Sequence, residues 1–203
     1  MYLRKILFKY LMGIGGTYDR DFEEMGGLKI FHQMYTLYPE AVREPYHSMR
    51  KLVKIEDEEY LAGVQTLYDT RKLGIPDGSI LLLVDKLDTY LYPDKVQASI
   101  ARLKDRAQAE GKKIFCKFHP REDIEWPVFE GCTILERTIG AESLYLSLSS
   151  IKDAIEVIGV KSAGLMSAKK MGFKVSSLFG QSGEDNENLV CFFNLIGVRL
   201  LDS

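Results

Sequence analysis

The sequence predicts an α/β fold, a parallel sheet with flanking helices, preceded by a mostly helical N-terminal segment. Three observations carry this expectation. Wholly apolar runs such as Ile80–Val84 are what a strand buried on both faces requires. Between such runs lie stretches whose apolar residues recur at three and four positions, the spacing of one buried helix face. The texture also changes near Gly74: the earlier part is rich in aromatics and punctuated by Gly13, Gly15, Gly16, Gly26 and Gly27, and the βαβ rhythm begins at about Ser79. The chain therefore reads as an N-terminal helical segment, 1–75, and a sheet domain, 76–203.

The elements of the second part come in a regular order. Strand Ile80–Val84 leads through Tyr92–Pro93 to a helix over Asp94–Glu110, with Asp94 as its cap and Gly111 as its stop. Val96, Ile100, Leu103 and Ala107 make its buried face and Lys104, Asp105 and Arg106 its solvated one. A strand at Lys113–Phe118 runs into His119–Pro120, and a short one at Thr133–Leu135 ends beside Glu136. A helix at Ala141–Ser149 precedes a strand at Ala154–Val160, and the turn Lys161–Gly164 opens a helix reaching Met171, closed by Gly172. Lys174–Leu178 is the last expected strand, and Leu189–Leu201 reads as one closing helix. Strands alternating with helices in this way describe a Rossmann-like domain.

Composition narrows the function classes. With 203 residues, 46% hydrophobic and 28% charged, the chain can bury a sizeable core and is short for two complete enzyme domains. A net charge of −2 supplies no positive field for nucleic acid. The three cysteines, Cys116, Cys132 and Cys191, are widely spaced without a CxxC pair, and His32, His47 and His119 lack ligand spacing. Neither a disulfide framework nor a structural metal is expected, and a reducing cytoplasm fits. Met1–Met12 is apolar and basic, but charges interrupt it and no small-residue cleavage site comes after it. Leu3, Ile6, Leu7, Tyr10 and Leu11 could form an amphipathic stripe, which reads as burial against a partner domain ahead of peripheral contact with a membrane surface.

Ligands of an open parallel sheet bind beyond the carboxyl ends of its strands. That rule selects the Lys117–Pro120 end, the segment Glu136–Glu142 and the turn Val160–Gly164. At the turn, a hydroxyl residue at a helix start offers backbone N–H groups, the positive dipole end and a side-chain donor to a phosphate. The plainer reading is that Ser162 caps the helix while Ala163 and Gly164 allow close packing; taken alone, the turn favours capping. His119 is held at the sheet edge by Pro120, where an imidazole can carry charge or a proton to a phosphate oxygen. An isolated His-Pro pair, by contrast, reads as a loop histidine bonded to a neighbour. Trp126 reads as a loop anchor, Glu56–Glu59 as a solvated helix face, and Lys169–Lys170 as complements to a helix dipole.

The combination is more informative than its parts. Lys117-Phe118-His119-Pro120, then Ile139-Gly140-Ala141-Glu142, then Val160-Lys161-Ser162-Ala163-Gly164-Leu165 resembles the second domain of bacterial sialyltransferases and polysialyltransferases. The tract His32–Pro39 is similar to the inter-domain region of that group. The resemblance implies the nucleotide-binding half of a GT-B glycosyltransferase using CMP-sialic acid as donor and a cell-surface glycan, lipooligosaccharide or capsule, as acceptor. It implies that His119 contacts the donor phosphate and assists departure of CMP, and that Ser162 is a phosphate ligand. Ala163 stands where the family has a second serine, beside Gly164. Lys117 matches a base-contacting lysine, and Glu142 a carboxylate that bonds the ribose hydroxyls, with Glu136 competing for that role. No cofactor and no metal are implied.

The resemblance also implies a general base in an acidic motif upstream of the inter-domain region, which this sequence begins too late to contain. Asp19, Asp21, Glu23 and Glu24 are poor matches to it. The expectation is a truncated or split chain, completed by a missing N-terminal domain or by self-association, and located in the cytoplasm or at the inner-membrane surface. The alternatives are another cytidine-nucleotide envelope transferase, for Kdo or polyol phosphate, and a non-catalytic binding domain of the same fold.

Overall fold

A computed structural model describes residues 33–42, 51–67, 73–122 and 126–201. The chain forms two compact units, Met1–Lys54 and Ile55–Ser203. In the first, strand β1 (Gln33–Thr36) pairs in parallel with β2 (Lys51–Lys54), Gln33 opposite Lys51. The expected stripe Leu3–Leu11 and the acidic residues Asp19–Glu24 lie outside the described residues. So does most of the segment expected to be helical.

The second unit opens with helix α1 (Asp57–Leu67). Its acidic start is exposed as expected, and the Glu59 carboxylate accepts the Glu56 N–H at 3.1 Å, a side-chain cap favoured by the helix dipole. Next come β3 (Ile80–Val84), α2 (Pro93–Ala109), β4 (Ile114–Phe118), β5 (Thr133–Ile134), α3 (Ala141–Ser147) and β6 (Glu156–Gly159). The chain continues through α4 (Gly164–Lys170), β7 (Lys174–Ser177), α5 (Glu187–Leu195) and β8 (Arg199–Leu200). All pairings are parallel, in the order β5-β4-β3-β6-β7-β8. This is the doubly wound arrangement of the Rossmann-like class that the sequence predicts. Every residue of β3, β4 and β6 is buried, which is why β3 reads as a continuous apolar run, whereas β4 and β6 each bury one charged residue, Lys117 and Glu156.

Two expectations are corrected. The cap of α2 is Tyr92, not Asp94; Pro93 occupies the first helical position, where its fixed φ and missing N–H cost nothing, and Asp94 falls in the first turn. Leu189–Leu201 is not one helix. Gly197 sits at φ 72°, a left-handed conformation that ends α5, and Arg199–Leu200 then pairs with β7 as a sixth strand of this sheet. The apolar face of α2 is as expected, with Val96, Ile100, Leu103 and Ala107 buried.

The strand order decides where a ligand can sit. From β3 the chain winds outward to β4 and β5, then returns across the sheet to place β6 on the other side of β3. The winding direction reverses between β3 and β6, and ligands of open sheets wound in this way bind in the crevice outside the carboxyl ends of the two strands at such a reversal.

Candidate functional site

Candidate residues stand just past the carboxyl ends of three strands: Asp85 after β3, His119 after β4 and Val160–Ser162 after β6. Backbone bonds hold these ends together. The His119 N–H donates to the Val84 carbonyl at 2.8 Å, and the Lys161 N–H donates to Asp85 Oδ2 at 3.1 Å.

His119 is exposed at the rim. Its Nδ1 accepts the Arg121 N–H at 3.2 Å, so the neutral ring is assigned its proton on Nε2, directed away from its own backbone. Glu122 N–H donates to the His119 carbonyl at 2.9 Å, closing the tight turn that Pro120 begins. The imidazole is thus oriented by its own loop rather than by a carboxylate.

At the other side, α4 has Ala163 as its cap residue and no side chain bonded in the capping position. Ser162 Oγ accepts the Gly164 N–H at a long 3.4 Å, and the Ser162 carbonyl accepts Leu165 N–H at 3.0 Å. Among the described residues the N–H groups of Ser162 and Ala163 have no hydrogen-bond partner. Two orphan donors and a hydroxyl therefore converge at the turn, which is the chemistry of an oxyanion cradle. Gly164 has a packing reason of its own. A Cβ there would lie 2.9 Å from Leu83 Cδ1 and 3.1 Å from the Tyr145 hydroxyl, and that hydroxyl donates to the Gly164 carbonyl at 2.9 Å.

Sequence reasoning missed the charged groups behind the turn. Asp85 Oδ2 also accepts the Tyr90 hydroxyl at 2.9 Å. Desolvation raises the Asp85 carboxyl above its ordinary value, opposed by hydrogen bonds from Lys161 N–H, Tyr90 and Ser162 and by the Lys161 charge. Burial, and next the Asp85 charge, push the Tyr90 phenol up. The Lys161 ammonium lies between the Glu184 carboxylate oxygens, at 2.9 and 3.0 Å, donates to the Thr89 carbonyl at 2.9 Å and sits 5.2 Å from the Tyr90 ring centre. One signal for Asp85 was available: a carboxylate placed immediately after an all-apolar strand. Nothing local marked Glu184, which is far from Lys161 in sequence.

Of the other expected residues, Lys117 is buried, and its ammonium donates to the Phe118 and Arg137 carbonyls at 2.6 and 3.0 Å, tying the end of β4 to the segment after β5. Burial, and secondarily the Arg137 charge, lower its pKa. Glu136 is exposed and accepts from the Thr138 hydroxyl. Glu142, half-buried in the first turn of α3, accepts the Ser167 hydroxyl at 3.0 Å and so links α3 to α4. Trp126 stacks 6.3 Å from Phe129 and lies 6.0 Å from Tyr90, in an aromatic cluster that anchors its loop.

Two of the widely spaced cysteines meet across neighbouring strands. Cys116, buried in β4, and Cys132, just before β5, share a hydrogen bond, which raises the first and lowers the second to about 7. Among the described residues no group of three or more His, Cys, Asp or Glu side chains is placed to hold a metal ion. No helix among them is long and apolar enough to cross a membrane.

A family profile described as alpha-2,8-polysialyltransferase (POLYST) matches residues 16–175. No curated protein and no solved structure matches the chain. The matched stretch contains Asp85, Lys117, His119, Glu136, Glu142 and the turn Ser162–Gly164, and ends before Glu184.

Proposed function

The chain belongs to the alpha-2,8-polysialyltransferase family, and from that premise we propose that the crevice between β3 and β6 binds the CMP portion of a sialic-acid donor. The observation that carries the reading is that His119 and the orphan N–H groups and hydroxyl of Ser162–Ala163 all follow the carboxyl ends of strands in one parallel sheet. In the proposed reaction an acceptor hydroxyl oxygen bonds to the anomeric carbon of the sugar with inversion. The bond from that carbon to the phosphate oxygen breaks, and its electron pair leaves with CMP. His119 offers its Nε2–H as a hydrogen bond to the departing phosphate, while the turn at Ser162 meets the developing charge with hydrogen bonds already in place. The acceptor's proton passes to a base that we assign to none of these residues. No step calls for a metal. Lys117 and either Glu136 or Glu142 are assigned to the nucleoside, the lysine to the base and the carboxylate to the ribose hydroxyls.

The test is calorimetric titration of the chain with CMP, with UMP and ADP as controls, repeated on His119→Ala and Ser162→Ala. Each substitution removes a hydrogen bond to a charged group, so affinity for CMP should fall about tenfold or more. Selective CMP binding lost in both variants supports the assignment. Equal binding of all three nucleotides, or retention in both variants, refutes it.

A further inference from the structure

A second polar cavity lies between α2 and the β7–β8 edge, with a volume of about 290 Å³, and no residue of the proposed donor site lines it. Three arginines line it: Arg102 and Arg106 from α2, and Arg199 from β8. Ser99 and Gln181 add neutral polar groups.

The charges there are unevenly matched. Arg106 reaches Glu156 at 3.5 Å, and that carboxylate is further occupied by the Ser176 hydroxyl at 2.9 Å. Glu110 stands 3.9 Å from Arg106 Nε, too far for a hydrogen bond, and is paired with Lys112. Arg106 Nε itself is buried with no hydrogen-bond partner among the described residues. A buried donor left without an acceptor is costly and calls for one. Arg102 is bonded only to neutral oxygens, Ser99 Oγ at 3.1 Å and Gln181 Oε1 at 3.0 Å, and among the described residues Arg199 has no ion-pair partner.

We propose that this cavity is an anion-binding site, in which Arg102, Arg106 and Arg199 hold the phosphate or carboxylate group of a small molecule. Guanidinium forks match both groups in geometry, and neither is bound well by a surface whose cations are already paired. The cavity admits a phosphate or a single acidic sugar and is too small for a folded partner. It is separate in function from the crevice at Ser162, because its donors are side chains from α2 and β8 rather than backbone groups of a turn.

The experiment uses the full chain at constant ionic strength, with chloride replaced stepwise by inorganic phosphate and, in a second arm, by N-acetylneuraminic acid. Binding is read by calorimetry, with CMP present to fill the crevice at Ser162, on the wild type, Arg102→Gln, Arg199→Gln and the charge-matched control Lys51→Gln, whose lysine is exposed on β2. Arg106 is left intact because its removal would strand the buried Glu156. Each arginine substitution should weaken binding about tenfold, the loss expected for one charged hydrogen bond, and Lys51→Gln should leave it unchanged. Binding in only one arm supports the site and identifies whether phosphate or carboxylate is its ligand. No binding in either arm, or binding that survives both arginine substitutions or disappears in Lys51→Gln, overturns the proposal.

Discussion

Replacing Gly164 by alanine asks whether the turn after β6 is shaped by packing as well as by ligand chemistry. The new Cβ would meet Leu83 Cδ1 at 2.9 Å and the Tyr145 hydroxyl at 3.1 Å, and both side chains are buried. Leu83 belongs to the central strand and Tyr145 is bonded to the Gly164 carbonyl, so neither can step aside freely. Overpacking of this kind costs about 1–3 kcal/mol, offset by about 0.5–1 kcal/mol because alanine loses less backbone entropy than glycine on folding. The net expectation is a loss of about 1–2 kcal/mol, or about 2–8 °C in Tm for a chain of this size. Gly63 supplies the control. It lies inside α1, and a Cβ there meets nothing within 4 Å. Gly63→Ala should therefore stabilise the protein by about 0.5–1 kcal/mol. Thermal and urea denaturation followed by circular dichroism measure both. If Gly164→Ala melts at or above the wild type, the close approach is not a constraint and the packing argument fails.

Further predictions concern titration. Folded Asp85 takes up its proton at a higher pH than the ordinary 3.8, so its contribution to stability is full below about pH 4 and is lost as pH rises through the raised value. Asp85→Asn removes that dependence, and urea midpoints should shift in favour of the variant between pH 4 and pH 7; a constant gap would contradict the burial argument. The Cys132 thiol, lowered to about 7 by its bond from Cys116 and by Lys104, should be alkylated by iodoacetamide ahead of Cys116, with a rate profile centred near pH 7. Cys116→Ser should move that midpoint, and peptide mapping by mass spectrometry reads both outcomes. Labelling of Cys116 first would reverse the assignment.

The sequence alone determined what depends on near neighbours along the chain. Ile80–Val84 declared a strand buried on both faces, and the spacing of Val96, Ile100, Leu103 and Ala107 declared the covered side of α2. Such patterns survive because periodicity is a local property. The resemblance around His119 and Ser162 likewise pointed to the alpha-2,8-polysialyltransferase family, to which the chain belongs. Order among strands was beyond local reading, since parallel neighbours are joined by crossovers, and β3 is flanked by β4 and β6. For the same reason β8 was hidden: two residues after Gly197 become a strand only because β7 offers its edge. The groups that shape the crevice were equally out of sight. Asp85 meets Lys161 only once β6 returns beside β3, Lys161 meets Glu184 only once β7 lies beside β6, and the Asp85 carboxyl is shifted by burial that arises on folding. Periodicity thus set the elements, whereas the electrostatics of the site belong to contacts between residues far apart in the chain, which tertiary packing alone creates.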